Sequence, residues 1–152
     1  MNVEHINPFL SATVTVFRTM LKCELVRGQP FLKNGTQPPF DISGIIGLSG
    51  AAKGTVVLSL CRESALRAAE AMLGQAPSSI DADVRDAVGE LTNMIAGSAK
   101  AKLEHLNLSV SLPSVITGKG HCIDFPRSIT PVCIPFDCPW GMVAVEVGLG
   151  PA

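Results

Sequence analysis

Hydrophobic positions along this chain change period from segment to segment, and the changes divide it into helices and strands. A first helix is predicted from Pro8 to about Lys22, with Asn7 as N-cap and Pro8 at the first helical position, where a missing N–H costs nothing. "CELVRGQPFLK" follows with extended character and a Gly-x-Pro break. "FDISGIIGLSG" and "GTVVLSLC", dominated by β-branched residues, read as a β-hairpin around the turn-prone Ser49 to Lys53. Arg62 to Leu73 is a short helix with Gly74 at C′, and "APSSI" links it to a long helix that Asp81 can cap and that runs to about His105. "LSVSLPSVITG", a loop at Gly118 to His121, and the strands "SITPVCIPFDCP" and "GMVAVEVGL" around a turn at Pro139-Trp140-Gly141 complete the pattern.

The order α-β-β-β-α-α-β-β-β predicts an α+β fold, with helices packed on one face of a mostly antiparallel sheet. Its halves read as weak, pseudo-symmetric α-β-β-β copies, "INPFLSATVTVFRTML" corresponding to "VGELTNMIAGSAKAKL". No linker splits residues 1–152, so a single domain is expected.

A helix turns about 100° per residue, so in the long helix Val84, Val88, Leu91, Ile95 and Ser98 or Ala99 share the core face. Asp86, Glu90, Asn93, Gly97 and Lys100 then form one outward stripe, within about 80° of one another. Asn is a mediocre helix former and Gly costs about 1 kcal/mol against Ala in a helix interior, so a merely solvated face seldom carries both. Gly97, one turn beyond Asn93, removes bulk where another surface could approach, or equally permits close helix packing. The string E-x-x-N is itself unspecific: Glu4-His5-Ile6-Asn7 matches it too. With Asn7 as the cap ahead of Pro8, that second match is expected to lie off the helix.

Composition narrows the classes of partner. Hydrophobic residues are 47% and charged residues 16% of the chain, and the mean hydropathy is +0.35, apolar enough to suggest burial between subunits. A net charge of −1 without a run of Lys or Arg leaves no footprint for nucleic acid or an anionic membrane, so a protein partner or small ligand is the better expectation. The Met1 start lacks a signal-peptide layout and no segment reaches about 18 apolar residues, pointing to a cytoplasmic protein. The five cysteines, Cys23, Cys61, Cys122, Cys133 and Cys138, form no C-x-x-C pair and are expected to be reduced and mostly buried.

"INPFLSATVTVFRTM", "GLSGAAKGTVVLSL" and the D-x-x-x-E-x-x-N of "DAVGELTN" together resemble the CheC/CheX/FliY family of chemotaxis phosphatases over essentially the whole chain. CheC-type members carry an acid-and-Asn pair on both pseudo-symmetric helices; this sequence has it only on the second, as CheX-type members do. The resemblance implies removal of the phosphoryl group from the aspartyl phosphate of CheY, a response-regulator receiver. It implies that Asn93 orients the attacking water and that Glu90 pairs with the receiver's phosphate-site lysine. Asp86 would set docking register, Gly97 give clearance, and Lys100 and Pro113 belong to the partner-binding surface. Pro113 is the weakest of these assignments, since the family's proline lies further beyond the Asn and a strand break explains it equally. Mg²⁺ would sit in the receiver, the chain needing no cofactor of its own. A homodimer joined through the sheet is also implied, with "SITPVCIPFDC" and "GMVAVEVGL" as edge-like strands and Trp140 either at that contact or in a satellite of the core.

Positioning is most of what phosphoryl transfer requires, and an amide both accepts from and donates to water. Other signals are weaker. "GLSGAAKG" lacks the G-x-x-x-x-G-K-[ST] of a phosphate loop, His5, His105, His121 and Cys122 repeat no metal-ligand spacing, and no G-x-S-x-G elbow is present. Two further readings stay open beside the phosphatase: a non-catalytic dimeric adaptor binding a phosphorylated receiver through the same helix face, and a small-ligand α+β domain.

Overall fold

The structure, a computed structural model, describes residues 3–32 and 40–152; Lys33, the end of the predicted extended stretch, lies outside them. Helix α1 spans Val3–Leu21, α2 Arg62–Leu73 and α3 Ala82–Ala101, with a 3-10 turn at Glu104–Leu106. The strands are β1 Val26–Arg27, β2 Phe31–Leu32, β3 Ile42–Ser49, β4 Ala52–Leu60, β5 Ser109–Val110, β6 Ser114–Thr117, β7 Val132–Cys138 and β8 Gly141–Pro151. They form one antiparallel sheet in the order β1-β7-β8-β4-β3-β5, with β2 also on β7 and β6 also on β3.

The predicted internal symmetry is carried by the pairing. The hairpins β3-β4 and β7-β8 meet along β4 and β8, and each half lends its short strands to the other: β1 and β2 pair with β7, β5 and β6 with β3. Alternation along the strands sends Ile42, Ile46, Leu58, Val145 and Val147 to the helix face, where they join Phe9, Phe17, Leu91 and Ile95 in one buried cluster. The opposite face is also covered: Phe40, Cys133 and Ala144 cluster there. The segment after β6 crosses the same face, and a side chain on Gly148 would collide with Phe125 and Ile129.

Several expectations are corrected. Helix α1 begins at Val3, so Asn7 is no cap and Pro8 lies inside the helix. Ile6 and Phe9 are both buried, and their packing outweighs the one backbone hydrogen bond that Pro8 cannot donate. Helix α3 stops at Ala101 instead of near His105: the N–H groups of Lys102 and Leu103 return to Ala99 and Lys100, tightening the chain into the 3-10 turn. "LSVSLPSVITG" makes two short strands that part at Leu112-Pro113, and β7 starts only at Val132. Strands β7 and β8 are interior; the edges are the short strands β1 and β2 on one side and β5 and β6 on the other.

The local signals at α2 and α3 hold. Gly74 adopts φ 78°, ψ 3° and its N–H donates to Glu70 O at 2.8 Å. Asp81 Oδ1 accepts from Val84 N at 3.0 Å, capping α3. Trp140 is half-buried against the main core, with the Arg67 guanidinium 5.8 Å from its ring centroid, which is the satellite position.

Candidate active site on the exposed face of α3

Helix α3 buries Val84, Val88, Leu91, Ile95 and Ala99 in the core, while Ser98 is exposed. Burying this stripe fixes the rotation of the helix, and Asp86, Glu90, Asn93, Gly97 and Lys100 are all exposed in consequence. Thr92 between them is fully buried and donates its hydroxyl to Val88 O at 2.7 Å.

Asn93, Gly97 and Lys100 form one wall of a groove of about 700 Å³. Asn107, Leu108, Ser109 and Val110 face them across it, and Glu104 lines it near the end of the helix. A Cβ placed on Gly97 meets nothing within 4 Å, so this glycine opens the groove and packs against no helix. Asn107 is held at φ 48°, its N–H on Glu104 O at 2.9 Å, a turn that carries the chain from the 3-10 segment into β5. Helical spacing could not find Asn107 or Ser109, because they reach the groove from outside the helix; Glu104, four residues beyond Lys100, continues the step of the stripe but stands in the 3-10 turn.

Asp86 and Glu90 lie further along the same exposed stripe, outside the groove lining. Pro113 is half-buried below the helix: a Cβ on Gly89 would sit 3.7 Å from Pro113 Cγ and 3.4 Å from Val115 Cγ2. It therefore underlies the level of Glu90 and does not line the groove with Asn93.

Glu4 and Asn7 are both exposed on the first turns of α1, so the absence of a helix does not separate them from Glu90 and Asn93. What separates them is the next turn. Four residues beyond Asn7 stands Ser11, whose Oγ accepts from Lys102 Nζ at 3.0 Å, whereas four residues beyond Asn93 stands Gly97 and open space.

Elsewhere, His5 and His105 approach with ring centroids 6.1 Å apart, and His121 Nε2 lies 2.6 Å from Ser43 Oγ. Among the described residues no three His, Cys, Asp or Glu side chains converge to hold a metal ion, and no helix is long and apolar enough to cross a membrane. None of the five cysteines is in a disulfide: Cys23 and Cys133 are buried, Cys61 and Cys138 half-buried, Cys122 exposed.

Known proteins share both the sequence and the fold. The profile of the family described as Chemotaxis phosphatase CheX matches residues 42–137. The CheY-P phosphatase CheX of Thermotoga maritima is 30% identical over 122 residues, 78% of this chain and 79% of that protein. The crystal structure of the chemotaxis protein CheX from Vibrio vulnificus superposes with a TM-score of 0.91 at 33% identity, covering 97% of this chain and 99% of that one. The CheX-CheY-BeF3-Mg²⁺ complex from Borrelia burgdorferi matches with a TM-score of 0.81 at 25% identity, over 97% of this chain and 99% of the other. The matched residues include α3 and the whole exposed stripe, and this chain belongs to the CheX family of chemotaxis phosphatases.

Proposed function

We propose that this chain hydrolyses the aspartyl phosphate of a CheY-type receiver, using the exposed stripe of α3. The observation that carries the reading is Asn93 standing exposed at the rim of a groove that Gly97 leaves open, on a helix otherwise anchored by buried apolar residues. A relative of the same fold forms a complex with CheY, BeF3 and Mg²⁺, which supports a receiver as the partner; in this reading the Mg²⁺ belongs to that receiver.

In this reading the helix inserts beside the acyl phosphate. The Asn93 carboxamide accepts a hydrogen bond from a water and donates one to a phosphoryl oxygen, holding the water in line with the bond to be broken. Water attacks phosphorus, the bond from phosphorus to the aspartyl oxygen breaks, and inorganic phosphate and the free carboxylate result. No general base on this chain is required, because the carboxylate is a good leaving group and positioning supplies most of the acceleration. Glu90 docks by pairing with the receiver's phosphate-site lysine. Asp86 sets the register, Lys100 meets the receiver along the groove, and Pro113 supports the helix from below. The chain works in the cytoplasm as a homodimer joined through its sheet. The exposed Val26, Phe31 and Leu32 on one edge and Ile116 on the other support that assembly, which sedimentation of the purified protein tests.

The decisive experiment times loss of the phosphoryl group from a phosphorylated cognate receiver. Wild type should exceed receiver autodephosphorylation, Glu90→Ala should weaken association, and Asn93→Ala should abolish the acceleration while the complex still forms. An adaptor would instead lengthen the phosphoryl lifetime, and that result, or full activity in Asn93→Ala, defeats the proposal.

A further inference from the structure

Beneath the exposed stripe, α3 rests on the sheet through a contact that has no side chain on one side. Gly44 in β3 pairs in register with Leu58 on one neighbouring strand and Val115 on the other, so all three point to the helix face. A Cβ on Gly44 would collide with Thr92 Oγ1 and lie 3.0 Å from Thr92 Cβ. Thr92 cannot easily turn aside: it is fully buried and its hydroxyl is already committed to Val88 O. One turn earlier, a Cβ on Gly89 would meet Val115 Cγ2 at 3.4 Å, an ordinary contact, so that only a side chain larger than alanine would press on the sheet there. A glycine in a strand interior costs conformational entropy and contributes no packing, so its presence here needs a close approach to justify it.

These seats have the same spacing as the candidate site. Gly89 and Thr92 touch the sheet; Glu90 and Asn93 are the residues that directly follow them. Any lift or roll of the helix at Thr92 is therefore passed to Asn93 through one backbone unit. We propose that Gly44, seated against Thr92, is a positioning residue for the hydrolysis: it sets the height of α3 above the sheet, and so the depth to which Asn93 can reach. The inference rests on the phosphatase reading above and adds a residue that touches neither receiver nor phosphate. A displacement of about 1 Å in a positioning group can cost on the order of a hundredfold in rate, whereas a flexible docking charge such as Glu90 tolerates it better.

The test compares wild type, Gly44→Ala, Thr92→Ala and the Gly44→Ala/Thr92→Ala double variant, with folding checked by circular dichroism. Dephosphorylation is followed across receiver concentration to separate kcat from KM. Gly44→Ala should lower kcat by about tenfold or more with KM changed less than about threefold, and Thr92→Ala in the same chain should restore kcat to within about threefold of wild type. Adding Gly44→Ala to Asn93→Ala should cost nothing further, because the seat acts through that amide. Wild-type kcat in folded Gly44→Ala, or no recovery in the double variant, overturns the inference. Should Gly44→Ala fail to fold, Gly89→Val with and without Val115→Ala asks the same question at the second seat. If wild type itself does not outpace the receiver, the phosphatase reading has failed instead, which is a distinguishable result.

Discussion

Gly97 follows Asn93 by one helical turn on the exposed face of α3, and the two border the same groove. Because a Cβ at Gly97 meets nothing, Gly97→Ala should stabilise the protein by about 0.5–1 kcal/mol through helix propensity alone. Gly97→Phe should fold as well but fill the groove, weakening association with a receiver carrying beryllofluoride and Mg²⁺ by about tenfold or more. Chemical denaturation reads the first effect and titration the second. A stable Gly97→Phe that binds normally would show that the groove is not where the partner enters.

The exposed stripe was readable in the sequence because a 20-residue helix repeats its period often enough to fix which side is buried. Sheet contacts were not, since Gly44 and Thr92 are distant in sequence and nothing in either segment announces the other. The start of α1 was misread for a related reason. Asn7-Pro8 carries the local signature of a helix start, but the burial of Ile6 beside Phe9 is a tertiary fact. The strands β7 and β8 look like edges by composition and lie inside the sheet, because β1 and β2, two residues each, pair outside β7.

His121 ties the far side of the sheet together. Its Nε2 lies 2.6 Å from Ser43 Oγ, which lies 2.7 Å from Ser59 Oγ, and its Nδ1 is 2.7 Å from Gly118 O. Ser43 and Ser59 are buried, so His121→Ala leaves hydroxyls short of a partner and should cost about 1–2 kcal/mol. Ser43 points away from the helices, so phosphatase activity should be unchanged. Hydrogen exchange should rise in the segment after Gly118. Lost activity with intact stability would mean that this face communicates with α3.

Asp81 is separated from the stripe by the first turns of α3 and contributes through its cap. Asp81→Ala should lower stability by about 1 kcal/mol as the Val84 N–H loses its acceptor and the helix N-terminus loses a negative charge. Asp81→Asn should recover most of that, since an amide oxygen can accept the same bond. Denaturant midpoints of the three proteins decide it; equal midpoints would show that the cap contributes nothing to folding.

Cys23 gives the fold a pH dependence of calculable sign. Burial, at 4% exposure, and then the hydrogen bond with Cys138 push its thiol up to about 12 from an ordinary 9.0. Well below pH 9 the thiol is neutral whether the chain is folded or not, and it exerts no pH effect. Between about 9 and 12 the unfolded chain ionises while the folded one does not, so stability should fall by up to about 1.4 kcal/mol per pH unit from this group, then level off. Cys23→Ala should remove that slope, measured as the difference between the two proteins' denaturation midpoints across this range. A thiol reagent at pH 8 should meanwhile modify the exposed Cys122 quickly and Cys23 only on unfolding. Equal slopes in the two proteins, or rapid labelling of Cys23 in the folded state, would show that the thiol is not shielded as its burial requires.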